Sequence, residues 1–186
     1  VDFDVPTAAL PLTAGGMFTD SDAGADLTTP ETLTLGIYQK LGDSFAVMGD
    51  VAWTNWQRFK DLVVEYDNPV QPDTVVPENW TDTMRYALGI NYYPDDCWTV
   101  RLGTAWDESP VKTAYRTPRI PDNDRIWLSA GLSYNFNEDI RVDAGYTHLF
   151  IKDSKSNLTT DPLSGDLIGK YESYVNIYAL EASVVF

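Results

Sequence analysis

The chain has 186 residues, with 28 Asp and Glu against 13 Lys and Arg, so its formal net charge is -15. This excludes nucleic acid as a partner, because binding to phosphates needs an excess of positive charge. Hydrophobic residues make up 44% of the chain, yet no stretch reaches the roughly 18 consecutive apolar residues that a transmembrane helix needs. The single cysteine, Cys97, excludes a scaffold held by internal disulfides.

From Thr32 onward, apolar side chains recur at every second position, which is the period of a β-strand rather than of a helix. The alternation predicts seven strands: Thr32–Gln39, Ser44–Asn55, Asp82–Tyr93, Trp98–Asp107, Asp124–Tyr134, Ile140–Phe150 and Tyr171–Phe186. Most are about ten residues long, the length of a tilted strand that crosses a bilayer. The predicted fold class is therefore all-β, an antiparallel transmembrane β-barrel.

The two faces of the predicted strands differ sharply. In the fifth strand, Ile126, Leu128 and Leu132 lie on one face, and Ser129 and Ser133 lie on the other. The apolar faces tend to end in Tyr or Trp, at Trp53, Tyr92, Trp98, Trp106, Tyr134, Tyr146 and Tyr178. This pattern is typical of the aromatic girdles of a membrane barrel. A soluble all-β binding module with an aromatic core is the alternative.

The connections between the predicted strands alternate in length. Short turns are predicted at Lys40–Asp43, Pro94–Cys97 and Asn135–Asp139, and long polar loops at about 56–81, 108–123 and 151–170. Bacterial barrels have short periplasmic turns and long extracellular loops, so we expect the long loops to lie outside the cell. One of them ends in PDNDR, at Pro121–Arg125, where Asp-to-backbone and Asp-to-Arg bonds are expected to fix the loop.

The strand count predicts that the chain is part of a larger barrel. Complete bacterial barrels have an even number of strands, whereas seven are predicted here, and the first of them would start outside the cell. Residues 1–31, rich in Thr, Ala, Gly and Asp, are then expected to be an extracellular loop region from a missing N-terminal half. Residues 32–186 would be the C-terminal seven strands.

The last predicted strand has an unbroken apolar face that ends on an aromatic residue. This face is formed by Tyr178, Leu180, Ala182, Val184 and Phe186. It resembles the C-terminal signal that the outer-membrane assembly machinery recognises, and we therefore predict that machinery as a partner.

Four segments are similar in order and spacing to the outer-membrane long-chain fatty-acid transport proteins (FadL), a family that includes aromatic-hydrocarbon channels. They are VAWTNWQRFKDL at Val51–Leu62, PENWTDTMRYALGINYYPDDCWTVRLGTAWDESPV at Pro77–Val111, YRTPRIPDNDRIWLSAGLSYNF at Tyr115–Phe136 and VDAGYTHLF at Val142–Phe150. The resemblance implies a 14-stranded barrel, plugged by an N-terminal hatch, that passively transports long-chain fatty acids or other hydrophobic compounds. It also implies that the hatch and a lateral wall opening lie in the half that this chain lacks.

Four residues predicted to face the lumen are candidates for ligand contact: Arg85, Arg101, Trp127 and Arg141. An arginine in a lumen can hold a fatty-acid carboxylate by a charge-assisted pair. The alternative is that the arginines pair with inward carboxylates in structural ladders, which are common in barrel interiors. The inward carboxylates are Asp50, Asp107, Asp143 and Glu181.

No motif supports catalysis or a cofactor. The chain has no Gly-rich phosphate loop, no metal-ligand spacing and no nucleophile elbow. His148, the single histidine, suggests an outer-membrane lipid-modifying enzyme as an alternative, but no strand-borne serine is adjacent to it. We therefore predict a protein of the Gram-negative outer membrane that is not an enzyme, uses no cofactor or metal, and contacts hydrophobic small molecules, outer-membrane lipid and lipopolysaccharide.

Overall fold

The computed structural model describes residues 15–16, 19–158 and 166–185. In this part of the chain, one short 3-10 helix covers Trp56–Arg58. The strands are β1 (Ala23–Gly24), β2 (Thr32–Leu41), β3 (Phe45–Thr54), β4 (Asp61–Tyr66), β5 (Thr74–Pro77), β6 (Thr83–Tyr92), β7 (Trp98–Asp107), β8 (Arg125–Asn135), β9 (Ile140–Ile151), β10 (Ser154–Leu158), β11 (Leu167–Tyr171) and β12 (Tyr174–Val184). No helix among the described residues is long and apolar enough to cross a membrane.

Seven strands form the main sheet, in the order β12-β9-β8-β7-β6-β3-β2, and every neighbouring pair is antiparallel. These are the seven predicted strands, which are thereby confirmed. The last strand begins at Tyr174 instead of Tyr171, because Tyr171 closes β11 and two residues separate β11 from β12. Phe186, predicted as its final residue, lies outside the described residues.

The turns at one end of the main sheet are short, as predicted, because local side chains stabilise them. Gly42, between β2 and β3, has a φ of 65°, which glycine adopts without strain. Between β6 and β7, the Asp95 carboxylate accepts hydrogen bonds from the backbone N–H of Cys97 and Trp98, at 2.9 and 2.8 Å. Asn137 plays the same part between β8 and β9. Such side-chain bonds satisfy backbone donors within a tight turn.

The long loops lie at the other end, and two of them contain strands that the alternation did not predict. The hairpin β4–β5 lies in the loop between β3 and β6, and the hairpin β10–β11 lies in the loop between β9 and β12. β1, from the segment before β2, pairs with β4 through Ala23 and Tyr66. Ala23 and Gly24 therefore lie at the end of the sheet where the long loops are.

The apolar face of the main sheet is the exposed one. On β8, Ile126 and Leu128 are each 48% exposed, whereas Ser133, on the opposite face, is 1% exposed. A soluble sandwich buries its apolar face against a second sheet. Among the described residues, the hydrophobic side chains that are buried are few: Ala46, Phe59, Ala105, Val111 and Leu149. The main sheet therefore has the pattern of a barrel wall that faces lipid.

Aromatic side chains on the exposed face form two bands. On β7, Trp98 and Trp106 lie eight residues apart, about 26 Å along a strand at ~3.3 Å per residue. At the tilt of about 40° that is usual for membrane barrels, they are separated by about 20 Å across the wall, close to the height of the apolar band. Trp98 packs on Tyr134 with ring centroids 4.5 Å apart, and Trp106 packs on Tyr86 at 5.8 Å. The bands have the spacing of the two interfacial girdles.

Candidate functional site

The inner face of the main sheet, opposite the exposed apolar face, is the candidate site. The strand register arranges its side chains in bands that run across the strands. Counted from the long loops, the first is an upper charged band (Arg85, Asp107, Arg125), and the second is an apolar band (Ala87, Ala105, Trp127, Leu149, Val175) that ends in Asp50 on β3. Below them lie a small-residue band (Gly89, Gly103, Ser129, Thr147) that ends in Ile177 on β12, and a lower charged band that covers three rows of the register (Arg101, Ser133, Arg141, Asp143, Glu181). An apolar surface is thus enclosed between two charged ones.

Arg125 ties the upper charged band to the adjoining loop. Its Nε donates to Asp107 Oδ2 at 3.0 Å, and its Nη1 lies 3.4 Å from Asp122 Oδ1. Asp124 Oδ1 accepts a hydrogen bond from the backbone N–H of Ser109 at 3.2 Å. The bonds predicted for the PDNDR segment, from Asp to backbone and from Asp to Arg, are therefore confirmed.

Arg85 lies beside this pair in the upper charged band. Its Cα pairs in register with that of Asp107, but its Nη1 forms an ion pair with Asp50 Oδ1, on the other neighbouring strand, at 3.2 Å. The Arg85 side chain is 43% exposed. The Arg141 side chain is exposed to a similar extent, 45%, so what distinguishes Arg85 is its single ion pair.

Arg101 and Arg141 belong to a polar network in the lower charged band. Arg141 binds Asp143 with two hydrogen bonds, Nε to Oδ2 at 2.7 Å and Nη2 to Oδ1 at 2.6 Å. Arg101 donates to Ser133, and its Nη1 lies 3.4 Å from Asp143 Oδ1. The hydroxyl of Ser133 in turn donates to Asp143. Both arginines thus use their donors within the wall.

Trp127, the fourth candidate, lies in the apolar band between Ala105 and Leu149 in register. Its indole Nε1 is buried. The ring thus lies among apolar neighbours in register, and its indole N–H has no hydrogen-bond partner among the described residues although such a buried donor is costly.

Cavities open on the inner face at both ends of the main sheet and in its middle. At the end with the short turns, one of about 860 Å³ is lined by Arg141, Asp143 and Glu181, among others. The loop-side cavity, of about 490 Å³, lies under the loop between β7 and β8 and is lined by Trp56, Trp80, Val111, Ile120 and Arg85, among others. The middle cavity, of about 210 Å³, is lined by Met48, Gly89, Gly103, Trp127 and again Arg85. Arg85 is therefore at the boundary between a cavity beneath the loops and one halfway down the wall.

Arg116, which the sequence did not single out, fixes the loop that covers the loop-side cavity. Its side chain is 3% exposed and donates to three backbone carbonyl oxygens: Nε to Asp122 at 2.9 Å, Nη1 to Lys155 at 2.8 Å and Nη2 to Val111 at 3.1 Å. Burial lowers the pKa of Arg116, and the nearby carboxylates of Asp122 and Asp124 oppose that shift. The signal available in the sequence was its place in the segment Tyr115–Phe136.

An aromatic cluster, also missed from the sequence, forms one side of the same cavity. The Trp80 ring lies 4.9 Å from that of Trp56 and 4.8 Å from that of Phe59, both edge to face. Trp80 Nε1 donates to Glu78 Oε2 at 2.9 Å. Burial raises the pKa of the Glu78 carboxyl, and the hydrogen bond from Trp80 offsets part of that rise.

His148 lies on the outer face, not on the inner one. Its Nδ1 is 2.7 Å from Asn176 Oδ1, and its ring packs against Phe150 and Tyr174, with centroids 4.2 and 5.9 Å away. These contacts are with an amide and aromatic rings, and none of them is with a serine. The described residues also contain no group of His, Cys, Asp and Glu side chains that could hold a metal ion.

Comparison with known proteins gives one consistent result. The family model described as outer membrane protein transport protein (OMPP1/FadL/TodX) matches residues 3–186. The chain is 37% identical over 155 residues to the long-chain fatty acid transport protein of Escherichia coli K12, covering 82% of this chain and 32% of that protein. It is 32% identical over 187 residues to a putative outer membrane protein of Neisseria meningitidis serogroup B, covering 94% of this chain and 40% of that protein.

The solved structures agree in fold. A Pseudomonas aeruginosa FadL homologue superposes with a TM-score of 0.83 at 27% identity, covering 95% of this chain and 41% of that one. The toluene transporter TodX of P. putida superposes with a TM-score of 0.63 at 16% identity, covering 89% of this chain and 37% of that one, and so it shows the fold alone. The chain spans about a third of the length of the fatty acid transport proteins that it matches.

Proposed function

The chain belongs to the outer membrane protein transport protein family (OMPP1/FadL/TodX), and from this we propose that it forms part of the wall of an outer-membrane channel for long-chain fatty acids or other hydrophobic compounds. The observation that carries the proposal is the apolar band on the inner face, set between two charged bands and bordered by small residues. In a wall whose outer face is already apolar, a second apolar surface on the inside has no use in lipid contact. It suits an apolar solute in the lumen.

The strand directions support a barrel with further strands. β2 and β12 are the edges of an antiparallel sheet of seven strands, so they run in the same direction. They cannot pair antiparallel with each other, and closure needs an odd number of additional strands. Residues 32–186 would supply the C-terminal seven strands, and residues 1–31 an extracellular loop region. The pairing of β1 with β4, in a long loop, is consistent with that place for the first segment.

Two partners belong to the proposal. The outer face of β12, on which Tyr178 is 77% and Leu180 is 80% exposed, would be recognised with Val184 and Phe186 by the outer-membrane assembly machinery. The aromatic bands and the acidic long loops would contact outer-membrane lipid and lipopolysaccharide, because aromatic rings prefer membrane interfaces and carboxylates can bind bridging divalent cations. We further propose that the protein acts by passage of solute and not by catalysis, which is supported by its place in a family of transport proteins.

The experiment that tests the channel fills the small-residue band. A side chain added at Gly103 would meet its nearest neighbours at 3.6 Å, so a larger residue fits and points into the lumen. Thr104, the next residue on β7, lies on the lipid face and gives the matched control. Uptake of labelled oleate is measured in cells that lack their own fatty-acid channel and express the full-length protein.

We expect Gly103→Phe to reduce uptake at least tenfold, because a ring would block an apolar path, whereas Thr104→Phe keeps the wild-type rate. Folding of both variants is checked by the heat-dependent mobility shift of barrels on gels. Equal uptake by the two folded variants would show that the inner face does not carry the solute.

A further inference from the structure

We propose that Arg85 binds the carboxylate of a fatty acid on the inner face, and that Asp50 keeps this contact weak enough to be reversible. This inference rests on the proposed channel function and deepens it, because it separates carboxylate-bearing ligands from neutral hydrocarbons at one residue. It is carried by the place of Arg85 between two cavities and by its hydrogen-bond donors.

The position of Arg85 suits an amphipathic ligand. It borders both the loop-side cavity and the middle cavity, so a headgroup at Arg85 leaves space for the tail on either side of it, against Trp56 and Val111 above or Met48 and Trp127 below. The loop-side cavity, at about 490 Å³, is within the usual range of ligand sites, about 300–1,000 Å³. Its lining is mixed: Trp56, Val111 and Ile120 give it an apolar part, and threonines, Asp107 and Arg125 give it a polar part.

The donors of Arg85 are less committed than those of the other inner arginines. A guanidinium has five N–H donors, and among the described residues the recorded ion pair of Arg85 is the single contact with Asp50 at 3.2 Å. Arg125 contacts two carboxylates, and Arg101 and Arg141 share Asp143 and Ser133. Arg85 can therefore accept a second carboxylate without breaking a network.

Asp50 sets the strength of that contact. A fatty-acid carboxylate bound to Arg85 would share the guanidinium with Asp50, and the repulsion between two carboxylates lowers the affinity of the second one. A channel needs such moderation, since a solute that binds must also leave. Asp107, the register partner of Arg85, is held by Arg125 and does not compete in the same way.

The test compares two ligands that differ only in the headgroup. Binding of oleate and of oleyl alcohol to the full-length protein in detergent micelles is measured by calorimetry at pH 8. We expect wild type to bind oleate about tenfold more tightly than the alcohol, the size of one charge-assisted bond. Arg85→Gln should remove this preference by weakening oleate alone, and Asp50→Asn should increase it. Arg101→Gln, which removes the same charge from the lower charged band, should leave the preference unchanged.

The outcomes distinguish the channel function from the assignment of Arg85. Failure of wild type to bind either ligand would overturn the proposed function and this inference with it. Binding of both ligands, with an oleate preference that Arg85→Gln does not change, would overturn the assignment of Arg85 and leave the channel in place. If Arg85→Gln does not fold, Asp50→Asn decides: an unchanged oleate preference in that variant contradicts the proposal.

Discussion

A charge placed on the outer face of the main sheet should be far more costly than the same charge placed on the inner face. Leu102 is the clearest outer position, because it lies four residues from both Trp98 and Trp106, the girdle residues of β7. At ~3.3 Å per residue and a tilt of about 40°, it is about 10 Å from each band, which is the middle of the hydrocarbon layer. Leu102 is also 56% exposed.

We expect Leu102→Lys to destabilise the folded protein by about 2–4 kcal/mol, the cost of a cation at the bilayer midplane. The matched control is Ser129→Lys, on the inner face of the adjacent strand. It loses the hydrogen bond from Thr147 Oγ1 to Ser129 Oγ, 2.9 Å long, which is worth about 1 kcal/mol. The new ammonium group of this variant would face the lumen and stay out of contact with lipid.

The assay is reversible folding of the full-length protein into lipid vesicles, followed by tryptophan fluorescence as urea is varied. A soluble module would give a different result, since a surface substitution in water changes stability by about 0.5 kcal/mol or less. If Leu102→Lys costs no more than Ser129→Lys, the assignment of the outer face to lipid is refuted.

Three further predictions concern the loops and the last strand. Arg116→Ala should remove three hydrogen bonds to backbone carbonyl oxygens and destabilise the covering loop by about 3 kcal/mol, at about 1 kcal/mol for each bond. Limited proteolysis should cut that loop at least tenfold faster, and Arg116→Lys should be intermediate. Burial raises the pKa of Glu78 in the folded protein, so the protonated carboxyl contributes its full stabilisation below the pKa of the unfolded chain and loses it as pH rises through the pKa of the folded protein. Hydrogen exchange in residues 55–82 should therefore show greater protection at pH 4 than at pH 7, and Glu78→Gln should reduce that difference. Removing Phe186 should reduce the folded fraction in the outer membrane severalfold, measured by the mobility shift on gels, and a normal folded fraction would contradict the predicted assembly signal.

The main sheet could be predicted because its signals are local. Period-two alternation depends on neighbouring residues, and turn residues such as Gly42 and Asp95 act within their own turns. The extra hairpins β4–β5 and β10–β11 were missed because their strands are only four to six residues long and show no period-two alternation; β4, for example, has three consecutive apolar residues, Leu62 to Val64. Their pairing is decided by contacts between segments far apart in the chain.

The details of the site could not be read from the sequence, because they depend on register across strands. Arg85 and Arg101 both face inward by the alternation of their strands. Arg85 nevertheless contacts a single carboxylate, whereas Arg101 shares Asp143 and Ser133 with a second arginine. The burial of Arg116 likewise depends on carbonyl groups of other segments, one of them 39 residues away at Lys155. Residue type and spacing predict which residues face inward. The contacts between strands determine which of those residues remain available to a ligand.

The most direct test of the account is the accessibility of successive positions on β8. Spin labels are placed singly at residues 126 to 133 of the full-length protein in lipid vesicles, with Cys97 replaced by Ser, and their collision rates with oxygen and with a water-soluble nickel complex are measured. We expect strict alternation: oxygen contact dominates at Ile126, Leu128, Ala130 and Leu132, and nickel contact dominates at Trp127, Ser129, Gly131 and Ser133. Uniform accessibility, or alternation with the opposite phase, would contradict a wall with lipid outside and a lumen inside.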